Sequence, residues 1–113
     1  MTFASAGHTS PVFIDSSGAR FLQADAGLPL GIMECAFSEH EIEMPAGSRV
    51  FLYSDGVSEA VNSLLEEYGP DRIHKFVTNH GATVQSLLSD VDQFTSGYPE
   101  SDDITVVRIA ATA

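Results

Sequence analysis

The stretch Val50-Phe51-Leu52-Tyr53-Ser54-Asp55-Gly56 decides the fold of this chain and the place of its candidate site. Its first four residues form a continuous apolar run, as in a strand that is buried on both faces. The run leads directly into Asp55 and Gly56, a pair that also fits an ordinary turn. A carboxylate is thus placed where a strand meets a loop, and the glycine lets a metal ion or substrate come close to the backbone.

A second aspartate turn, Ser101-Asp102-Asp103-Ile104-Thr105, overlaps the start of the last apolar run, Ile104 to Ala110. That run is rich in β-branched residues and predicts a closing strand. We expect this strand to insert beside Val50–Tyr53, which would bring Asp55 and Asp102 to the same edge of the sheet. Adjacent side chains diverge in an extended chain, so only one of the two aspartates in this turn is expected to point at a shared site.

The first half of the chain alternates short apolar runs with turn residues, a pattern that predicts strands. The predicted strands are Phe3–Ala6, Val12–Ile14, Arg20–Gln23, Ala36–Met44 and Val50–Tyr53. They are separated by turns at Asp15–Gly18 and Pro45–Gly47 and by a rigid loop at Ala26–Gly31. The fourth of these strands alternates apolar and acidic residues, although His40 interrupts the period.

The second half changes to a helical period, with apolar residues on one side of each predicted helix. The predicted helices are Val57–Tyr68, Asp71–His80 and Thr83–Phe94. Gly69 is a natural helix stop, Pro70 suits a first helical position, and Thr83 suits an N-cap. Strands followed by helices and one last strand predict an α+β fold with helices packed on a sheet.

Charge and cysteine content exclude several classes of protein. The 113 residues contain 16 acidic and 5 basic side chains, for a net charge of −11. A nucleic-acid partner or an anionic membrane surface would need a Lys/Arg patch, so neither is expected. The single cysteine, Cys35, cannot form an internal disulfide. The N-terminus does not read as a signal peptide, and no run approaches the roughly 20 apolar residues of a membrane span, so a cytoplasmic setting is expected.

Carboxylates at two turns suit Mg²⁺ or Mn²⁺, because these hard cations prefer oxygen ligands. A two-metal site polarises a phosphoryl oxygen and turns a bridging water into a nucleophile near neutral pH. Such a site needs about three to five carboxylates to balance its two divalent ions. The two turns therefore predict a metal-dependent hydrolase, but with fewer ligands than the chemistry requires.

Five motifs, taken together, resemble a known family. In chain order they are Ala6-Gly7-His8 with Pro11, Gly27-Leu28-Pro29-Leu30-Gly31, Pro45 to Ala60, Tyr68 to Ile73, and Asp102 to Val107. In order and spacing they resemble the SpoIIE/RsbU branch of the PPM-type (protein phosphatase 2C-like) serine/threonine phosphatases. The resemblance implies a β-sandwich flanked by helices, two Mn²⁺ or Mg²⁺ ions, and hydrolysis of phosphoserine or phosphothreonine. The implied substrates are phosphorylated STAS-domain anti-sigma antagonists in bacterial signalling.

The resemblance also implies roles for individual residues. Asp55 and Asp102 match metal ligands of the family. Asp103 takes the neighbouring position and is expected to support the ligands and not to bind the metal directly. Gly56 resembles a glycine that permits close approach. His8 lies in a family motif, where both proton transfer and a hydrogen-bonded structural role stay open.

Glu59 and the three remaining histidines are not expected to bind a metal ion. Glu59 matches the family pattern and either orients solvent or lies in a first helical turn, where its charge suits the helix dipole; we favour the dipole. His40, His74 and His80 show no metal-ligand spacing with each other or with Cys35. They are interpreted as surface or partly packed histidines.

The family has two further metal-bridging aspartates upstream, and this chain begins after both. Asp15, in a hairpin turn, and Asp25, before the Gly-Leu-Pro loop, are not expected to replace them. We therefore expect residues 1–113 to be the C-terminal portion of a phosphatase domain, a partial PPM-type β-sandwich without the N-terminal metal-binding half. The carboxylates of Asp55 and Asp102 should lie about 4–7 Å apart to share a metal site, and the chain alone should have little or no activity.

Two other interpretations stay open. The chain could be a non-catalytic interaction module that binds a STAS partner or forms a homodimer, since missing strands would expose an apolar sheet surface. It could also be an unrelated acidic α+β domain in which both aspartate turns are structural. A large distance between the two turns would favour that last reading.

Overall fold

A computed structural model describes residues 1–23, 28–79, 81–99 and 102–112. The strands in these ranges are β1 (Thr2–Phe3), β2 (Val12–Asp15), β3 (Gly18–Phe21), β4 (His40–Glu41), β5 (Arg49–Tyr53) and β6 (Val106–Ala110). The helices are α1 (Asp55–Ser58), α2 (Gly69–Val77) and α3 (Val84–Thr95). Helices packed on antiparallel strands confirm the predicted α+β class. Within the described ranges, no helix is long and apolar enough to cross a membrane.

Strand β5 lies inside a four-stranded antiparallel sheet with the order β3-β2-β5-β6. The β2–β3 hairpin lies on one side of β5, and β6 lies on the other, with Tyr53 opposite Val106 and Arg49 opposite Ala110. The predicted insertion of the last strand beside β5 is confirmed. Because β5 ends where β6 begins, the turn after Tyr53 and the turn before Val106 lie at the same edge of the sheet.

One face of this sheet packs against the helices and forms the larger core. Its buried residues from the strands are Val12, Ile14, Phe51 and Tyr53, and those from the helices are Val57, Ile73, Val77, Leu87 and Val91. Alternate residues of each strand point to this face, as the pleat requires.

The opposite face of the sheet is only partly covered. Its buried residues are Phe13, Leu22 and Val50, and partly buried Phe3, Ile42, Met44 and Leu52 pack around them. Part of the cover comes from a small second sheet in which β1 pairs with β4. On the edge strand β6, Val107 and Ile109 pair with Leu52 and Val50 and remain 48% and 42% exposed. We call this surface, with Leu52, Val107 and Ile109 at its centre, the open face.

The predicted helix Val57–Tyr68 is wrong. Helix α1 ends at Ser58, and the chain then forms a loop that is closed by an isolated bridge between Val61 and Glu67. The loop returns at Tyr68, whose N–H donates to the carbonyl oxygen of residue 60 at 2.7 Å. The helical period of this stretch therefore describes a packed loop and not a helix.

A side chain explains why the helix stops. The Asn62 Oδ1 accepts hydrogen bonds from the N–H groups of Leu64 and Glu66, each at 3.0 Å. Asparagine that binds nearby backbone in this way competes with helix formation. Leu65 then adopts a left-handed backbone with φ of 61°, and Leu64 and Leu65 are 76% and 69% exposed.

The predicted strand Ala36–Met44 is also wrong, because only β4 pairs within it. Strand β1 is likewise shorter and earlier than the predicted Phe3–Ala6. The alternation that suggested a long strand comes from Ile42 and Met44, which follow β4 and pack against the opposite face of the sheet.

The other predicted strands and helices are confirmed with shifted boundaries, whereas residues 26 and 27 of the predicted Ala26–Gly31 loop lie outside the described residues. Helix α2 begins at Gly69 with Pro70 in its first turn. The N-cap at Thr83 is confirmed: its hydroxyl accepts from the Ser86 N–H at 3.0 Å, while the Ser86 hydroxyl accepts from the Thr83 N–H at 2.8 Å. This reciprocal pair is a capping box.

Candidate metal site

Asp55 lies on the surface at the first position of α1, directly after β5. Ser54 precedes it with extended backbone, at φ −77° and ψ 162°, so the chain changes from strand to helix at this point. The short helix is closed by the Val57 N–H, which donates to the Ser54 carbonyl, and by the Glu59 N–H, which donates to the Asp55 carbonyl at 2.7 Å. These bonds fix the backbone that carries the Asp55 carboxylate.

Ser54 joins this turn to the second aspartate turn. Its N–H donates to the Thr105 carbonyl at 2.9 Å, and its hydroxyl accepts from the Thr105 N–H at 3.0 Å. The same hydroxyl lies 3.3 Å from the Asp103 carbonyl oxygen, to which it donates. The two turns are therefore held together by bonds that involve both the backbone and the side chain of Ser54.

Gly56 brings the two turns into direct contact. A Cβ at this position would lie 2.1 Å from the Asp103 carbonyl oxygen and 2.9 Å from its carbonyl carbon. Contacts this short with backbone atoms leave room for glycine only. The prediction of close approach at Gly56 thus gains a specific partner, the backbone of Asp103.

Asp102 and Asp103 are both exposed, and Ser101 lies outside the described residues. The Asp103 N–H donates to the Asp102 Oδ1 at 2.8 Å, which orients the Asp102 carboxylate relative to the turn. Surface carboxylates on two adjoining turns are the donors that Mg²⁺ and Mn²⁺ prefer. The residue types and the joined turns fit a divalent-ion site.

The His8 segment is tied to the same end of β5. The Thr9 hydroxyl donates to the Tyr53 carbonyl at 2.5 Å, and the His8 Nδ1 lies 2.8 Å from the Thr9 carbonyl oxygen. A carbonyl oxygen only accepts, so this contact places the proton of a neutral His8 on Nδ1. Burial raises the pKa of Tyr53, whose side chain points into the core beneath.

Several sequence-based interpretations are tested by these contacts. Glu59 is the C-cap of α1 and not a first-turn residue, so the favoured dipole role is wrong. His74 is half-buried with Nε2 2.9 Å from the Ala19 carbonyl oxygen, and His40 is half-buried against the Phe3 ring. Both are partly packed, as expected.

Asp15 belongs to its hairpin turn. Its carboxylate accepts from the N–H and hydroxyl of Ser17, and these bonds hold its pKa below the usual value. Asp25 and His80 lie outside the described residues. In the part of the chain that the structure describes, no group of three His, Cys, Asp or Glu side chains converges as a metal site.

Sequence reasoning missed Ser54 and Thr9. The hydroxyl of each donates a hydrogen bond to a carbonyl far along the chain. Ser54 and Asp103 are 49 residues apart, and Thr9 and Tyr53 are 44 residues apart. Their position next to Asp55 and His8 was the only available signal.

Residues 1–112 match the family described as Stage II sporulation protein E (SpoIIE), and the chain belongs to this family. A curated relative, Protein IcfG from Synechocystis sp., is 26% identical over 115 residues, which are 96% of this chain and 18% of that protein. The predicted resemblance to the SpoIIE/RsbU branch is confirmed.

Solved structures show the same fold. The SiaA-PP2C domain of Pseudomonas aeruginosa has a TM-score of 0.79 at 19% identity, over 96% of this chain and 45% of that one. The RsbU and RsbW domains of Rv1364c from Mycobacterium tuberculosis give a TM-score of 0.76 at 22% identity, and the match covers 99% of this chain and 32% of that one. The phosphatase domain of SpoIIE from Bacillus subtilis, in a Mn-presoaked form, gives a TM-score of 0.67 at 18% identity. This match covers 98% of this chain and 50% of that one. The chain therefore has the PP2C phosphatase fold and spans half or less of each of these chains.

Proposed function

We propose that this chain is part of a metal-dependent phosphoserine/phosphothreonine protein phosphatase. The observation that carries the proposal is the junction at Ser54 and Gly56, which joins the Asp55 turn to the Asp102–Asp103 turn. Membership of the SpoIIE family and this junction together support a shared metal site at the two turns.

Asp55 and Asp102 would hold Mn²⁺ or Mg²⁺, and Asp103 and Gly56 would fix the turn that presents Asp102. Bound divalent ions supply charge neutralisation for the phosphoryl group and a water of lowered pKa. The chain's own residues contribute fixed carboxylate positions, which is the main protein contribution to phosphoryl transfer. His8, exposed at the same end of β5, stays a candidate for proton transfer or for a structural role.

We propose further that residues 1–113 form the C-terminal portion of the phosphatase domain. Two aspartates are fewer than two divalent ions need, and the chain spans half or less of the similar solved chains. Additional carboxylates would come from an N-terminal half of the same domain. A phosphorylated STAS-domain protein of bacterial partner-switching signalling is the proposed substrate, in a cytoplasmic setting.

Manganese-dependent phosphate release from a phosphoserine STAS protein tests this proposal. We compare the 113-residue chain with a longer protein in which the N-terminal half of a SpoIIE-type phosphatase domain precedes Met1. The longer protein should turn over and the chain alone should not. Asp55→Asn and Asp102→Asn should each lower turnover by about 100-fold or more, because metal affinity depends on the ligand set.

Asp71→Asn is the matched control, since Asp71 is an exposed aspartate on α2 and belongs to neither aspartate turn. It should keep full activity. Robust turnover by the chain alone would show that the ligand set is complete within it. No manganese-dependent turnover by either protein would contradict the phosphatase function.

A second candidate function is a non-catalytic module that forms homodimers through the open face. Val107 and Ile109 favour it, because they expose apolar surface next to Leu52 on an edge strand. Sedimentation at increasing concentration distinguishes a self-associating chain from a monomer.

A further inference from the structure

A cavity of about 630 Å³ opens beside the second aspartate turn. One wall is the side of α3 that carries Leu88, Val91, Asp92 and Thr95, which follow the i, i+3, i+4, i+7 spacing of one helix face. The other wall is the turn that begins at Asp102. The cavity therefore adjoins the proposed metal site, and its size falls in the range of about 300–1,000 Å³ that is typical of ligand pockets.

The floor and the rim of this cavity differ in chemistry. Val91 is fully buried, and Leu88 and Ile104 are half-buried, so the floor is apolar. Asp92, Asp102 and Asp103 are exposed and place carboxylates on the rim. A side chain with an aliphatic stem and a cationic head matches both parts, because Lys and Arg bury their stems and keep the charged head in water.

The chain supplies no cation of its own to this rim. None of its 5 Lys and Arg residues lines the cavity, and all of them lie in the described part of the chain. Arg72, on α2, instead donates to two backbone carbonyls and stacks on the Phe94 ring at 4.5 Å. The negative rim therefore has no internal counter-charge from Lys or Arg.

We propose that this cavity binds a basic side chain, arginine in preference to lysine, that lies close in sequence to the phosphorylated residue of the protein substrate. Asp92 is the specificity-determining residue, because it faces the cavity from α3, across from the two aspartates of the turn. Arginine is favoured because its planar guanidinium can pair with carboxylates through two hydrogen bonds. The proposal rests on the proposed phosphatase function and names a feature of its substrate.

The test uses twin peptides that contain one serine and, near it, either arginine or citrulline, its uncharged isostere. First, unphosphorylated twins are titrated into the ¹⁵N-labelled 113-residue chain without metal. The arginine peptide should bind about fivefold more tightly than its twin, the upper range for an exposed ion pair, and should shift amides of α3 around Asp92. Asp92→Asn should remove this preference, and Asp71→Asn, the matched exposed aspartate on α2, should keep it.

Second, the phosphorylated twins are offered to the longer protein with manganese. A higher kcat/KM for the arginine peptide that Asp92→Asn abolishes supports the proposal. Equal binding and equal turnover of the twins would overturn it while leaving the phosphatase function intact. Equal losses in Asp92→Asn and Asp71→Asn would also overturn it, because they would show only the general attraction of an acidic protein. Selective binding without any turnover would retain the cavity's preference and contradict the phosphatase function.

Discussion

Gly56 is the residue on which the meeting of the two aspartate turns depends. Its backbone is helical and needs no left-handed conformation, so its value lies in the missing side chain. The Asp103 carbonyl occupies the space that a Cβ would take. Loss of this fit would move Asp103, and with it Asp102, relative to Asp55.

Gly56→Ala should therefore lower the free energy of unfolding by about 1–3 kcal/mol, as overpacking of a close contact does. Gly81→Ala is the control, since its nearest neighbour would be the Asn79 Oδ1 at 3.9 Å and its φ is not in the left-handed region. That change should be neutral or stabilising by a few tenths of a kcal/mol. Urea unfolding monitored by circular dichroism measures both, and equal midpoints for the two variants would contradict the close-contact account.

For single residues, the sequence predicted which aspartates belong to the candidate site. It did not predict which side chains hold the two turns together. Asp55 and Asp102 stand in motifs that are visible locally. The hydroxyls of Ser54 and Thr9 have no such mark, because serine and threonine at turns are common for other reasons. Their function depends on distant partners, which only the folded chain brings near.

Local signals predicted an element well where a recognisable sequence motif marks the decisive bond. The Thr83 cap acts on a residue three positions away and was predicted correctly. The prediction of a helix at Val57–Tyr68 failed because Asn62 binds the backbone of residues 64 and 66. The spacing of apolar residues does not show these competing hydrogen bonds. The return of the loop at Tyr68 depends on contacts with α3, far along the chain.

Tyr68 anchors that loop to α3. Its hydroxyl donates to the Asp90 carboxylate at 2.5 Å, and its ring meets the Phe94 ring edge-on with centroids 5.4 Å apart. Burial, and then the bond to Asp90, raise the pKa of Tyr68 well above its usual value. Burial also raises the pKa of Tyr53.

Because both folded-state pKa values are raised, the protonated tyrosines contribute stability that is complete below the unfolded value of about 10 and is lost as pH rises above it. The free energy of unfolding should fall between pH 9 and 11, an interval of about one pH unit on either side of that value. Tyr68→Phe should reduce this slope without abolishing it, since Tyr53 remains. Urea midpoints measured across this interval test the prediction. Tyr98→Phe, at a tyrosine that is 38% exposed, should keep the wild-type slope, and an unchanged slope in Tyr68→Phe would refute the role of Tyr68.

The whole molecule is flat, with principal extents of 40 × 40 × 17 Å. Helices cover one side of the sheet, and the small β1–β4 sheet covers part of the other. Pairing of β6 with β5 followed from the sequence, because both are apolar runs and one leads into an aspartate turn while the other follows one. The partial cover of the opposite face by β1 and β4 could not be predicted, because these strands have only two residues each and show no recognisable pattern.

The open face predicts how the isolated chain behaves in solution. Exposed Val107 and Ile109 lie beside Leu52, so two copies can bury this surface against each other. The net charge of −11 opposes association, and salt screens that repulsion, so self-association should strengthen as ionic strength rises. Sedimentation velocity from low to high protein concentration, at low salt and at 0.5 M salt, measures it.

Val107→Lys should weaken the dimer by about tenfold or more, because each protomer would bury a charge without a partner at the centre of the contact. Leu64→Lys is the matched control, since Leu64 is 76% exposed on the loop after α1 and not on the open face. It introduces the same charge and should leave the dissociation constant unchanged. A wild-type chain that stays monomeric at every concentration and salt level would argue against the open face as a self-association surface. Equal weakening by both lysines would also contradict the open face as the contact surface, because Leu64 lies outside it.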